Sequence, residues 1–191
     1  MPIDRTRTIR GALAGAVATG VWAAQMPLDK RVFGAGADDV ELLGKLFTRG
    51  PAWRAIGLAL HLQNGAVFGA VYANLAPSVP LPSWALGPLA GLIENFATWP
   101  LMAVSERIHP AREELPRVSG SARGLAQATW RHLLFGVMLG ELERRLNAEP
   151  DDEPEPWAHV ISSNGHGNID HAAALRQRPR TPERPGASPP E

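Results

Sequence analysis

The sequence predicts an all-α polytopic membrane protein: a four-transmembrane-helix bundle over 1–147, a short interfacial amphipathic helix, and a disordered C-terminal tail over 148–191. Three observations lead there. Four apolar runs, at 9–26, 53–76, 84–104 and 122–145, approach the roughly 20 residues that a helix rising about 1.5 Å per residue needs to cross about 30 Å of hydrocarbon. Trp22, Trp53, Tyr72, Trp84, Trp99 and Trp130 sit near the ends of these runs, at the headgroup level that amphipathic rings prefer. Each run also carries a Gly-x-x-x-Gly pair.

The first run follows Arg5, Arg7 and Arg10, a pattern shared with secretory signal peptides. Its Gly and Ala pattern matches that of the later runs, so an uncleaved bundle member is expected. Between the first two runs, 38–49 places Val40, Leu43, Leu46 and Phe47 on one helical face, acidic residues in the first turn and basic ones in the last. This short helix is expected to lie in the interface or over the bundle mouth, and Gly50-Pro51 ends it. The proline-rich connection 77–82 implies a tight antiparallel hairpin of the second and third spans, and 105–121 reads as a charged loop.

After 147 the chain turns to Pro, Arg, Glu, Ser and Gly, with too little apolar surface to offset the cost of ordering it. Its histidines, His159, His166 and His171, read as part of a solvated tail. Net charge is zero and neither half is strongly basic, which argues against nucleic acid as a partner. The absence of cysteine excludes disulfides and thiolate chemistry. Lys30 and Lys45 are the only lysines among 19 basic residues, a composition pointing with the many alanines to a bacterial genome. The location expected is therefore the inner (plasma) membrane, multi-pass. Basic residues flank both sides of the spans in similar numbers, and cytoplasmic termini are favoured because the long charged tail then need not cross.

The glycine pairs are Gly11 with Gly15, Gly65 with Gly69, Gly87 with Gly91, and Gly136 with Gly140. Glycines four apart make a flat strip that lets helix backbones approach closely in lipid. They predict one tightly packed bundle, whose partners are the lipid bilayer and a second copy or another membrane protein. Polar residues share these faces: Trp22 and Gln25 in line with Gly11, Gly15 and Ala18, with Asp29 just beyond; His61 and Asn64; Glu94, Asn95 and Thr98; and Thr129, His132 and Glu143. Antiparallel registration places Asn64, Glu94, Asn95 and His132 in one layer near the midplane, with His61 at its margin and His132 level with Asn95.

Three readings of this layer stay open. Glu94 is protonated glue hydrogen-bonded to Asn64 or His132; or Glu94 and His132 pass protons or contact a solute; or His61, Glu94 and His132 hold a metal. Arg131 either snorkels to the headgroups or turns inward to Glu94. No nucleophile elbow, phosphate-binding loop, zinc-protease pair or dinucleotide fingerprint occurs, so no catalytic residue, cofactor or metal is assigned and an enzyme is disfavoured. What remains is a membrane-embedded interaction or structural protein, or alternatively a small proton- or solute-conducting one.

Gly11-Ala-Leu-Ala-Gly15 and His61-Leu-Gln-Asn-Gly65-Ala-Val-Phe-Gly69-Ala-Val-Tyr72 resemble segments of small polytopic bacterial inner-membrane proteins of unknown function, loosely the YagU-like group. The resemblance covers about two helices. It implies a multi-helix membrane protein and carries over no site residue.

Overall fold

A computed structural model of the protein describes residues 3–148, and the chain there is all-helical. Its elements are α1 (Arg5–Phe33), α2 (Asp39–Lys45), α3 (Trp53–Leu75), a 3-10 turn (Ala76–Ser78), α4 (Ser83–Ile108) and α5 (Ala122–Leu146). The expected tail, including its histidines, lies from residue 149 onward outside the described residues.

Local chemistry sets the helix ends. Asp4, Asp38 and Ser121 cap α1, α2 and α5 by accepting from the amides of Arg7, Glu41 and Gly124. The first helix departs most from expectation: it continues past Met26, through Pro27, to Phe33. Proline removes one backbone donor but does not have to end a helix when tertiary contacts hold the following turn. Here Asp29 in that turn is gripped by α5. The actual stop is Gly34, which adopts φ 61° and sends its N–H to Lys30 O at 3.1 Å. α2 is shorter than the expected 38–49, because the helix gives way to turns after Lys45.

Along the row of long helices, α3 packs on α1, α1 on α5, and α5 on α4, while α2 packs across α3. The expected hairpin of α3 and α4 does not form as a packed pair: the two make no extended contact despite their short connection. Glycine strips decide the partners instead. A Cβ on Gly15 would fall on the Gly65 carbonyl and one on Gly69 on the Gly11 carbonyl, so α1 and α3 meet backbone to backbone. A Cβ on Gly87 would likewise fall on Gly136 O, and one on Gly91 on His132 O. All eight glycines are buried against a neighbouring helix. A third seam, not read from the sequence, joins Gly44 of α2 to Gly57 of α3.

Candidate functional site

Because α3 and α4 stand apart, a cavity of ≈ 270 Å³ lies between them, with α1 and α5 behind it. Asn64, Glu94, Asn95, His132 and His61 all line it. Leu42 and Leu43 of α2 and Val118 of the connection before α5 complete the wall. The glycine seam sets the heights: Gly91 faces the His132 carbonyl and Asn95 reaches Thr129. Asn95 is thus about one turn from the expected level with His132, yet both still face the same space.

The polar groups in this cavity are unequally partnered. Asn95 is 1 % exposed and donates from Nδ2 to Thr129 Oγ1 at 3.1 Å, while its Oδ1 has no partner. His61 is buried with Nε2 unpartnered, its ring edge-on to Trp22 at 5.2 Å. His132 sits 4.7 Å from the same indole, and its Nδ1 lies 2.7 Å from Ala128 O in its own helix. A neutral His132 therefore carries its proton on Nδ1 and leaves Nε2 as an acceptor. Asn64 is exposed at the cavity wall. Glu94 is half-buried, and its carboxylate makes no hydrogen bond or ion pair with any described residue. The expected bonds from Glu94 to Asn64 or His132 are absent, and the interhelical polar link at this level is Asn95 to Thr129.

Arg131 neither snorkels nor meets Glu94. It is 2 % exposed and forms a fork with Asp29, Nε to Oδ2 at 2.6 Å and Nη2 to Oδ1 at 2.7 Å. It also donates to Asp39 at 2.8 Å and to the Ala37 carbonyl at 3.0 Å. Asp29 further accepts from Gln25 at 2.7 Å and Gln127 at 2.8 Å, so the carboxylate is saturated. This clamp ties α1, α5 and the start of α2 together beside the cavity. Sequence reading missed it because it ended the first helix before Asp29; the signal available was Asp29's place on the stripe of Gly11, Gly15, Trp22 and Gln25, and Arg131's spacing of four from Gln127. At the opposite end Arg7 bridges Glu143 at 2.7 Å and the Ala73 carbonyl at 2.7 Å, joining α1, α5 and α3.

The connection between α4 and α5 is also tied down. Glu106 accepts from the Val118 amide at 2.5 Å and from the Ser119 amide and hydroxyl at 2.7 and 2.6 Å. Burial pushes its carboxyl up, but these bonds together hold it below the usual carboxylate range. Lys45 bridges Glu41 and Glu114, and its hydrogen bond draws the Glu114 carboxyl below that range as well. His109 Nε2 lies 3.0 Å from Leu42 O, so this loop is fastened to α2.

Among the described residues no three His, Asp or Glu side chains are grouped to hold a metal ion, and His61, Glu94 and His132 do not converge as such a set. No protein-family model, curated protein or solved structure matches the chain.

Proposed function

We propose that this is a multi-pass inner-membrane protein in which α1, α3, α4 and α5 cross the bilayer, with cytoplasmic termini. The observation that carries the reading is an inversion of polarity. Outward-facing Val67, Val71, Ile93 and Phe96 are 59, 54, 61 and 56 % exposed, whereas Asn95, Gln127 and Arg131 are 1, 0 and 2 % exposed. A water-soluble bundle rarely leaves apolar side chains uncovered on this scale. Lipid covers them without cost, and helices of roughly 34 to 44 Å exceed the hydrocarbon thickness of about 30 Å.

Among the described residues, one helical stretch, Trp53–Ser78, is long and apolar enough to span by length and composition alone. α5 carries ionisable groups: Arg131 and Glu143 face protein and are paired there, while Glu141 pairs with Arg144 and Arg145 on the outer surface near the helix end. Burial inside a bundle with a partner is how ionisable residues are tolerated at membrane depth.

The absence of cysteine makes the test direct. Gly120→Cys, at a position with open space around it, should react with an impermeant maleimide on intact cells, and Val79→Cys should not. The chain should stay with membranes through an alkaline carbonate wash. Its release into the supernatant would overturn the proposal.

Two roles fit such a bundle. A scaffold role accounts for the glycine seams but leaves the cavity without purpose. The unpaired Glu94 at that cavity favours the second role, handling of a proton or small solute. Reconstituted protein should then dissipate a pH or solute gradient, and the Glu94→Gln variant should not; full retention of flux by that variant removes Glu94 from the function.

A further inference from the structure

We propose that the cavity between α3 and α4 binds a small organic monocation with an apolar body, of the arylalkylammonium class, with Glu94 as its counter-charge. The inference rests on the solute-handling reading and names the class of solute.

Charge is the first argument. Among the described residues that line the cavity, Arg131 is the only Lys or Arg, and its donors are taken by Asp29, Asp39 and Ala37. Asp39 is itself engaged by Arg131 and by the Trp22 indole N–H at 3.2 Å. Glu94 is therefore the lining carboxylate without a described partner, and no lining cation is free to neutralise it. A cation would pair with this carboxyl and favour its ionised form, whereas an anionic solute would find no lining cation to receive it.

Hydrogen bonding points the same way. Asn95 Oδ1 is a buried acceptor lacking a donor, and a neutral His132 offers Nε2 as another. His61 Nε2 is buried and unpartnered and accepts in one of its tautomers. A buried acceptor without a donor is costly, so the site calls for a ligand that brings N–H donors. An ammonium group brings up to three.

Size and walls define the rest. A cavity of about 150 Å³ takes benzene, and this one measures ≈ 270 Å³, room for a ring with a short aminoalkyl arm. Trp22, Phe68, Trp99 and Phe135 supply aromatic lining that suits both an apolar body and an ammonium over a ring face. Asn64 is exposed while lining the cavity, so the space communicates with the outside along the unpacked α3 and α4 edge.

The test uses the full chain in lipid nanodiscs, followed by calorimetry and by the fluorescence of the lining tryptophans. Benzylammonium, benzyl alcohol and benzoate serve as probes of matched size and different charge. The expected result is saturable benzylammonium binding, tighter than benzyl alcohol by roughly tenfold or more, with benzoate weaker still. Glu94→Gln should abolish the preference while melting as wild type does, and Glu94→Asp should retain it. Equal binding of the cation and the alcohol, wild-type preference in the Gln variant, or no saturable binding overturns the proposal. Its failure leaves the carbonate-wash result standing, and flux without cation preference would refute the solute class while sparing the solute-handling role.

Discussion

Two polar clusters lie within the same bundle, and they are built on opposite plans. Around Arg131 the charged groups are satisfied: the guanidinium and the Asp29 oxygens find partners at hydrogen-bonding distance, and the neutral Gln127 Oε1 is the buried acceptor there that lacks one. Across the cavity, Glu94, Asn95 Oδ1 and His61 Nε2 are left open. A satisfied buried network fixes helices relative to one another; an unsatisfied one stores a demand for something from outside. The difference separates a structural cluster from a binding one more sharply than residue type does, since both contain a carboxylate.

The comparison breaks most visibly at Arg131. Replacing it with Met leaves Asp29 charged, buried and unpaired, and should cost about 3 to 5 kcal/mol in thermal or denaturant unfolding of the detergent-solubilised protein. A double change of Arg131→Met with Asp29→Leu should recover most of that loss, because removing both charges removes the orphan. A loss under about 1 kcal/mol for the single change would mean that the clamp does not hold the bundle.

Gly91→Ala should cost roughly 1 to 3 kcal/mol, since the added methyl meets the His132 carbonyl and forces α4 off α5. It should also weaken binding in the cavity while leaving the α1 to α5 clamp in place. Gly120→Ala, where nothing lies within 4 Å, is the control and should stay within about 0.5 kcal/mol of wild type.

At Glu94 the prediction is near silence in stability. With no described partner to lose, Glu94→Gln should shift unfolding by no more than about 1 kcal/mol. Glu94→Leu should do the same, whereas glue between helices would make it cost about 1 to 2 kcal/mol by orphaning its partners. Unfolding of the two variants side by side decides between these.

The smallest effect concerns pH at Glu106. Its folded carboxyl lies below the ordinary value of 4.5, so its contribution to stability is present above that value and fades as pH falls through the folded one. The connection 109–121 should become protease-sensitive at acid pH, and Glu106→Gln should show part of that sensitivity at neutral pH. A cleavage pattern independent of both would remove Glu106 as the anchor of this loop.

The sequence by itself determined the helical class and the approximate ends of α3, α4 and α5, because apolar runs of near-constant length and the residues that break them are local properties. It also determined which faces carry glycine and polar groups, since helical periodicity maps spacing directly onto direction. Pairing was decided only in three dimensions. Four glycine strips can be matched in several ways, and the short 79–82 connection suggested the wrong one, because a short loop limits the distance between helix ends but not the contact along their lengths. The end of α1 was likewise tertiary: Pro27 signals a stop locally, and only the grip of Arg131 and Gln127 on Asp29, from about a hundred residues away, fixes the turn that follows. The open state of Glu94 depended on that choice of partners. Had α3 packed on α4, the carboxylate would have met Asn64; with α3 on α1 and α4 on α5, a cavity stands between them.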